Sequence, residues 1–392
     1  MKKLILLTLI ALSTNFANAQ WQQTNGPYGG FISCIAVSGS NIFVGTYGGG
    51  VFLSSNNGSS WAAVNTGLTN TDVNALAISG SNIFAGTWGG GVFLSSNNGS
   101  SWVAVNNGLP TYNNIHALAI NGNNIFAGTS AFGVFLSSDN GNSWTAVNTG
   151  LPPPNFTLVN ALTISGSNIF AGTHDDGVFL SSNNGSSWAA VNTGLTNTSV
   201  FALAISGSNI FAGTQGGGVF LSSNNGSSWA AVNTGLTNTF VYSFVTSGNN
   251  IFAVTDDGVF LSSDNGSSWA AANTGLTYPY VRALAISGSN IFAGTEGASV
   301  WVRPLSEMLG IEEISNDGNN IVVYPNPAND NLTIEAPQKA TIEILNIEGQ
   351  ILKAINEADI RTTIDLRNFS SGVYIIKATT DKEIVTKKFI KE

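Results

Sequence analysis

Residues 75–102 read ALAISGSNIFAGTWGGGVFLSSNNGSSW, and the chain repeats this stretch with modest edits along most of its length. The final tryptophan recurs as Trp61, Trp102, Trp144, Trp188, Trp229 and Trp269, at spacings of 41, 42, 44, 41 and 40 residues. The front half occurs seven times, with its threonine at Thr46, Thr87, Thr129, Thr173, Thr214, Thr255 and Thr295. Each unit reads as four short strands, alternating or wholly apolar, broken by Gly, Ser and Asn turns. In the second copy the predicted strands cover 74–78, 82–86, 91–95 and 102–106. A period of about 40 residues with four strands per period specifies propeller blades. A helical solenoid would need longer segments rich in Leu, Glu and Lys, which the repeat lacks.

The seventh copy stops near Trp301, before the Trp-ending turn and the strand after it. Trp21-Gln22-Gln23-Thr24-Asn25-Gly26 matches the WAAVNTG that ends the other copies, so the N-terminus is expected to supply the missing strand. Pairing the first strand with the last blade closes the ring and removes its open edges. The expected fold is all-β: a seven-bladed β-propeller over 20–303 closed by an N-terminal strand, a linker at 304–320, and an Ig-like β-sandwich over 321–392.

The N-terminal 19 residues have the layout of a cleavable secretory signal: Lys2 and Lys3, an apolar run over 4–12, then Ala17-Asn18-Ala19. No later apolar run approaches the roughly 18 residues that span a bilayer, so no transmembrane segment is expected. The single cysteine, Cys34, cannot form an intramolecular disulfide, and it reads as a small buried residue at a position that is mostly Ala in the other copies. Between Trp21 and Val302 there are seven Asp and one Glu against a single Arg, and no Lys. Tracking phosphates requires clustered Lys and Arg, so nucleic acid is excluded as a partner.

The repeated turn, Ser54-Ser55-Asn56-Asn57-Gly58-Ser59-Ser60-Trp61 in the first blade, resembles the Asp-box S-x-D-x-G-x-x-W of sialidase-like BNR propellers. Six blades carry it, with Asn at the Asp position in four and Asp in two, Asp139 and Asp264. Either side chain can bond neighbouring backbone N–H groups, Gly58 can take a positive φ, and the Trp can pack between blades. In that family the hairpin is architectural, which implies a structural role for Trp61, Trp102, Trp144, Trp188, Trp229 and Trp269. Sialidase chemistry grips its substrate with three arginines; Arg282 alone lies inside the ring, so that activity is excluded.

Other chemistry finds little support. Glycoside hydrolysis needs two carboxylates flanking one bond, and Asp139 and Asp264 are already assigned to turns. The pairs Asp175-Asp176 and Asp256-Asp257 read as solvated loop residues, and His116 and His174 lack metal-ligand spacing. No metal or other cofactor is expected.

Because the copies are nearly identical, the positions that differ among them are informative. After the repeated Thr, successive blades carry Tyr47, Trp88, Ser130, His174, Gln215, Asp256 and Glu296. At the start of the innermost strand they carry Ser33, Asn74, His116, Asn160, Phe201, Tyr242 and Arg282. Both sets are expected to ring the central opening, with Tyr28, Tyr112, Phe156, Phe240, Tyr278 and Tyr280 added by the connections. Aromatic platforms beside neutral hydrogen-bonding groups suit sugar rings. The candidate ligand-binding residues are Tyr47, Trp88, His174, Gln215, Asn74, His116, Tyr242 and Arg282.

Beyond residue 320 the composition changes. Tyr324-Pro325-Asn326-Pro327, the Asn346-Ile347-Glu348-Gly349 turn, Ser371-Gly372-Val373-Tyr374 and a Lys-rich final strand occur in that order. They closely resemble the type A C-terminal sorting domain of the type IX secretion system of Bacteroidota. The resemblance implies outer-membrane type IX machinery and a sorting peptidase as partners, and a product released or attached at the cell surface. The functional expectation is a non-catalytic binding protein recognising a glycan, polysaccharide or surface protein. The alternatives are a glycoside hydrolase or lyase acting on extracellular polysaccharide, and a structural surface protein.

Overall fold

The computed structural model describes residues 20–28, 31–153, 157–297, 299–308, 321–336, 338–346, 350–370, 372–380 and 384–391. The expected signal at 1–19, most of the expected linker, Phe156, residues 347–349 of the C-terminal turn and Ser371 lie outside them. The chain divides into two compact units, residues 1–309 and 310–392.

The first unit contains seven four-stranded antiparallel sheets. Their innermost strands neighbour one another in sequence order, and Phe31–Ser38 of the first blade neighbours Val281–Ser287 of the seventh, which closes the ring. Closure is completed as expected: Gln22 and Gln23 pair with Val302 and Trp301 as the outer strand of the seventh blade. Residues 304–308, expected as irregular linker, stay with this blade, because Leu305 of the short helix Leu305–Met308 is buried in its core.

The core lies between blades. Phe43 and Val51 of the first blade pack with Val73, Ile83, Ala85, Phe93 and Trp102 of the second, and equivalent clusters recur around the ring. The second strand of each blade, Asn-Ile-Phe-Ala-Gly-Thr in most copies, is therefore apolar on both faces rather than alternating. Gly86 in that strand is required by close approach: a Cβ there would fall 2.5 Å from Ile115 Cγ2 of the next blade.

The repeated tryptophans tie each blade to the one before. Trp102 N donates to Thr66 O at 2.8 Å and its ring N–H to Val64 O at 2.7 Å. Trp144, Trp188, Trp229 and Trp269 repeat the ring bond to Val105, Val147, Val191 and Val232, and Trp21 makes it to Ala272 O. By reaching backwards the Trp leaves its own ladder, so the outer strand is Val103–Ala104 rather than the predicted 102–106. Trp61 differs. Its ring N–H donates to Thr24 Oγ1 at 3.1 Å, because the strand preceding it in the ring is the N-terminal one.

The turn before each Trp is held internally. Gly58 N donates to Ser54 Oγ at 2.9 Å and Ser60 N to Asn56 Oδ1 at 3.0 Å. Asn57, at φ 53°, joins Gly58 in the left-handed region, a conformation Asn tolerates better than other side-chain-bearing residues.

The second unit is a sandwich of a three-stranded sheet (Val322–Tyr324, Asn331–Glu335, Arg361–Asp365) and a four-stranded one (Ile351–Ala358, Ala340–Leu345, Gly372–Thr379, Ile384–Lys391). Alternate residues Leu332 and Ile334 of the first and Ile342, Ile344, Tyr374, Ile376 and Phe389 of the second form its core. The Tyr374 hydroxyl donates to Ser370 O at 2.7 Å, tying the turn to the strand that follows it.

Candidate functional site

Each innermost strand breaks register just after it begins. The breaks fall between Ile32 and Cys34, Val73 and Ala75, Ile115 and Ala117, Val159 and Ala161, Val200 and Ala202, Val241 and Ser243, and Val281 and Ala283. The extra residue is in every case the one that varies among blades: Ser33, Asn74, His116, Asn160, Phe201, Tyr242 or Arg282. A β-bulge re-aims a side chain without ending the strand.

The residue after the repeated Thr is held by the connection that leads into its own blade. Trp88 N donates to Asp72 O at 2.8 Å, His174 N to Leu158 O at 3.0 Å, Gln215 N to Ser199 O at 2.9 Å and Glu296 N to Tyr280 O at 2.9 Å. Loops and connections therefore meet on one face.

The two variable sets pair within blades. His116 Nε2 lies 2.7 Å from Ser130 Oγ, the Tyr242 hydroxyl donates to Asp256 Oδ1 at 2.8 Å, and Arg282 Nε donates to Glu296 Oε1, each pair 14 residues apart in sequence. That constant offset between two variable positions was the available sequence signal for Ser130, Asp256 and Glu296, which were not among the candidates. Where the bulge residue is small and polar it reaches the next blade instead: Ser33 bonds Val73 O, Asn74 donates to Ile115 O at 3.3 Å and Asn160 to Val200 O at 3.0 Å.

Asn74, His116 and Tyr242 line a single central cavity of about 230 Å³ with Cys34, Asn160 and Phe201. The aromatic groups form two runs. Trp88 stands edge-on to His116, centroids 5.6 Å apart. On another arc His174 meets Phe201 at 5.7 Å, Phe201 meets Tyr242 at 6.3 Å, and the Arg282 guanidinium lies 3.7 Å from the Tyr242 ring centre. Two candidates stand apart from both the cavity and these runs. Tyr47 is exposed, and Gln215 is bonded within its own corner, accepting from Ser199 Oγ at 3.3 Å and Asn197 Nδ2 at 3.0 Å.

Burial lowers the His116 pKa, favouring the neutral ring, and raises that of Tyr242, with the hydrogen bond to Asp256 adding to the effect. Arg282 loses some basicity to burial, but its bonds to Tyr242 and Glu296 outweigh that and raise its pKa. Cys34 lines the opening, yet burial pushes its thiol up to about 12.

Four carboxylates of this face are engaged by neighbours. Glu296 is bound by Arg282, Asp256 accepts from Tyr242 and lies 4.0 Å from Arg282 Nη1, Asp175 lies 2.9 Å from His174 Nδ1, and Asp257 accepts from Thr237 at 2.6 Å. Among the described residues no group of three or more His, Cys, Asp or Glu gathers as a metal site.

Among solved structures the chain is similar to PorZ, a surface component of the type IX secretion system of Porphyromonas gingivalis, at 17% identity and TM-score 0.54 over 91% of this chain. It covers 59% of PorZ's length. It is also similar to YCF48 from Cyanidioschyzon merolae, at 14% identity and TM-score 0.57 over 73% of this chain and 98% of that one. The Niastella koreensis GH74 enzyme matches at 18% identity and TM-score 0.55, over 70% of this chain and 43% of that one. At these identities the likeness is one of fold. No curated protein matches the chain, and no helix among the described residues is long and apolar enough to cross a membrane. Residues 322–392 match the family of secretion system C-terminal sorting domains. The chain is thus a β-propeller carrying a C-terminal sorting domain that directs it through the type IX system to the cell surface or the extracellular space.

Proposed function

We propose that the propeller is a non-catalytic recognition module whose loop face, around the central opening, binds a neutral glycan outside the cell. The observation that carries this reading is the bulge repeated in all seven blades. An otherwise uniform repeat diverges at the one residue a bulge can turn towards the opening, and there it supplies imidazole, phenol, guanidinium and carboxamide groups beside aromatic rings. Kinship with BNR propellers, conveyed by the Ser-x-Asn/Asp-x-Gly-x-x-Trp turn, belongs to the same reading. So does removal of the sorting domain by a sorting peptidase, which leaves the ring released or attached at the surface.

A hydrolytic reading draws support from Asp256 and Glu296, two carboxylates that both approach Arg282. Their engagement by that guanidinium weighs against it, since a general acid and base must reach substrate rather than a shared cation. A polysaccharide and glycan binding screen on the full-length protein, with product analysis of every bound glycan, tests both. Binding without turnover, weakened at least tenfold by Trp88→Ala and Tyr242→Ala, is expected. Turnover that is lost in Asp256→Asn or Glu296→Gln would replace recognition with hydrolysis, and absence of any glycan binding would sink both.

A further inference from the structure

Among the described residues the propeller exposes eight large hydrophobic side chains. Val103, on an outer strand, is the one that lies away from the loop side. Phe240 and Tyr280 belong to the connections into the sixth and seventh blades. The other five, Tyr28, Phe31, Tyr47, Trp88 and Tyr112, belong to three consecutive blades, the first to the third, or to the connections into them. Tyr28 is 73% exposed and Tyr112 86%. A gathering of exposed apolar groups on one arc marks an interaction site, whereas single ones scattered over a surface do not.

These rings are held at their backbones. Phe31 is the partner of Tyr47 in the first ladder of the first blade, so both side chains leave the same face of that sheet. Trp88 N donates to Asp72 O at 2.8 Å, and the Trp88 ring meets that of His116, which lines the central opening. The arc therefore runs into the opening at Trp88. Tyr112 extends into solvent from a φ of 58°, a left-handed conformation that bulky residues avoid. Between the Gly89-Gly90-Gly91 loop and the connection that carries Tyr112, the surface is indented by a cavity of about 320 Å³. Asn113 in its lining is 2% exposed, and its carboxamide, buried and without a hydrogen-bond partner, is out of reach of a ligand there.

Charge and exposed aromatic groups divide the loop side between them. Residues 20–33, 46–50, 65–74, 87–91, 106–116 and 129–133 form it in the first three blades, and they contain one acidic residue, Asp72, and no Lys or Arg. The fourth, sixth and seventh blades carry Asp175 and Asp176, Asp256 and Asp257, and Arg282 and Glu296 at the corresponding places.

We propose that the arc of the first three blades is a platform for an extended, neutral polysaccharide chain. Its sugar units lie against Tyr28, Tyr47, Trp88 and Tyr112, and it passes the rim of the opening beside Trp88 and His116. Three features select this ligand. Packed sheets lie about 10 Å apart, so rings on the first and third blades are separated by roughly 20 Å, further than one sugar unit reaches. The near absence of charge fits a neutral chain. The large hydrophobics exposed on the arc are all aromatic, and no Met or Arg accompanies them, whereas the core of a protein interface draws on both. The inference rests on the glycan reading above and adds to it that the ligand is a chain, contacted well outside the opening.

The test is calorimetric titration of the full-length protein with linear glucan, mannan and xylan oligosaccharides, each as a series from disaccharide to hexasaccharide. In the series that binds, affinity should rise at least tenfold from the shortest to the longest. Tyr28→Ala and Tyr47→Ala remove exposed rings and should leave Tm unchanged. Each should weaken the hexasaccharide several-fold and flatten the gain with length, whereas Trp88→Ala should weaken every length alike. If affinity is independent of length, or both tyrosine variants bind the hexasaccharide as tightly as the parent while Trp88→Ala and Tyr242→Ala do not, the platform is wrong and the central face stands. If the parent binds no member of any series, the platform falls, and the wider glycan screen decides separately whether the central face falls with it. A dimer in sedimentation velocity that the Tyr28→Ala/Tyr47→Ala double variant loses would assign these rings to a second copy of the chain and overturn the proposal.

Discussion

The Arg282 guanidinium stacks 3.7 Å from the centre of the Tyr242 ring, joining the bulges of the sixth and seventh blades. It also holds Glu296 and approaches Asp256, whose carboxylate accepts the Tyr242 hydroxyl. One cation therefore organises two carboxylates and a phenol at the rim of the opening.

Removing that cation should be costly. Arg282→Met leaves two half-buried carboxylates without their shared cation and is expected to destabilise the ring by about 1–3 kcal/mol. Tyr242→Phe, which loses one hydrogen bond and keeps the ring, should cost about 0.5–1.5 kcal/mol. Urea unfolding of the two single variants and the double variant checks both values. Additive effects would show that the stacked pair is not coupled.

Ring closure predicts that a residue at the N-terminal edge of the ring matters as much as one in its middle. Trp21 is 2% exposed and Trp102 3% exposed, and each donates its ring N–H to the preceding blade. Trp21→Ala and Trp102→Ala should each cost about 3–5 kcal/mol. Trp61→Ala should cost less, since Trp61 is only half-buried and bonds a side-chain hydroxyl at 3.1 Å. Thermal unfolding that left Tm unchanged in Trp21→Ala would mean that the seventh blade closes without its fourth strand.

Acid stability should depend on the two turns that carry Asp. Bonds from the Ser268 hydroxyl and N–H, then from the Ser262 hydroxyl, hold the Asp264 carboxyl at about 2, below its ordinary 3.8. Asp139 is lowered for the same reason, by Ser143 first. A folded-state pKa below the unfolded one contributes stability that is present in full above about pH 4 and is lost as pH falls through about 2. Asp264→Asn, the residue used in four other blades, should therefore flatten the decline of Tm between those pH values. Parallel Tm profiles for parent and variant would count against this account.

The Cys34 thiol, pushed up to about 12 by burial, should resist alkylation in the native protein at pH 8 and react freely in denaturant. Mass spectrometry after iodoacetamide treatment with and without urea reads this directly. Labelling of the native chain at a rate near that in denaturant would show that the opening is wetter at Cys34 than the packing implies.

Much of the candidate face was legible because repetition makes difference visible. The positions of Trp88, His116, Tyr242 and Arg282 stand out only against nearly identical copies. The reason they stand out was less legible: alternation along 73–79 reads as an ordinary strand, and a one-residue bulge leaves no mark in an apolar pattern. The unpartnered carboxamide of Asn113 escaped notice for the opposite reason. It lies in a connection that, like the longer one between Gly150 and Val159, does not align with the others, so comparison between copies fails there.

The repeated stretch ending in Trp102, the seven threonines and the tryptophan at residue 21 were by themselves enough to determine seven blades and a ring closed by its own N-terminus. Strand number, turn chemistry and the core pattern are local properties, and local properties repeat. Tertiary structure alone decided which variable residues meet. His174 reaches Tyr242 only through Phe201, Arg282 lies on the preceding blade's ring, and Asn113 is left without partners. Those relationships depend on how bulges and connections of adjacent blades approach across the opening, a distance of a few ångströms between residues some 40 positions apart in the chain.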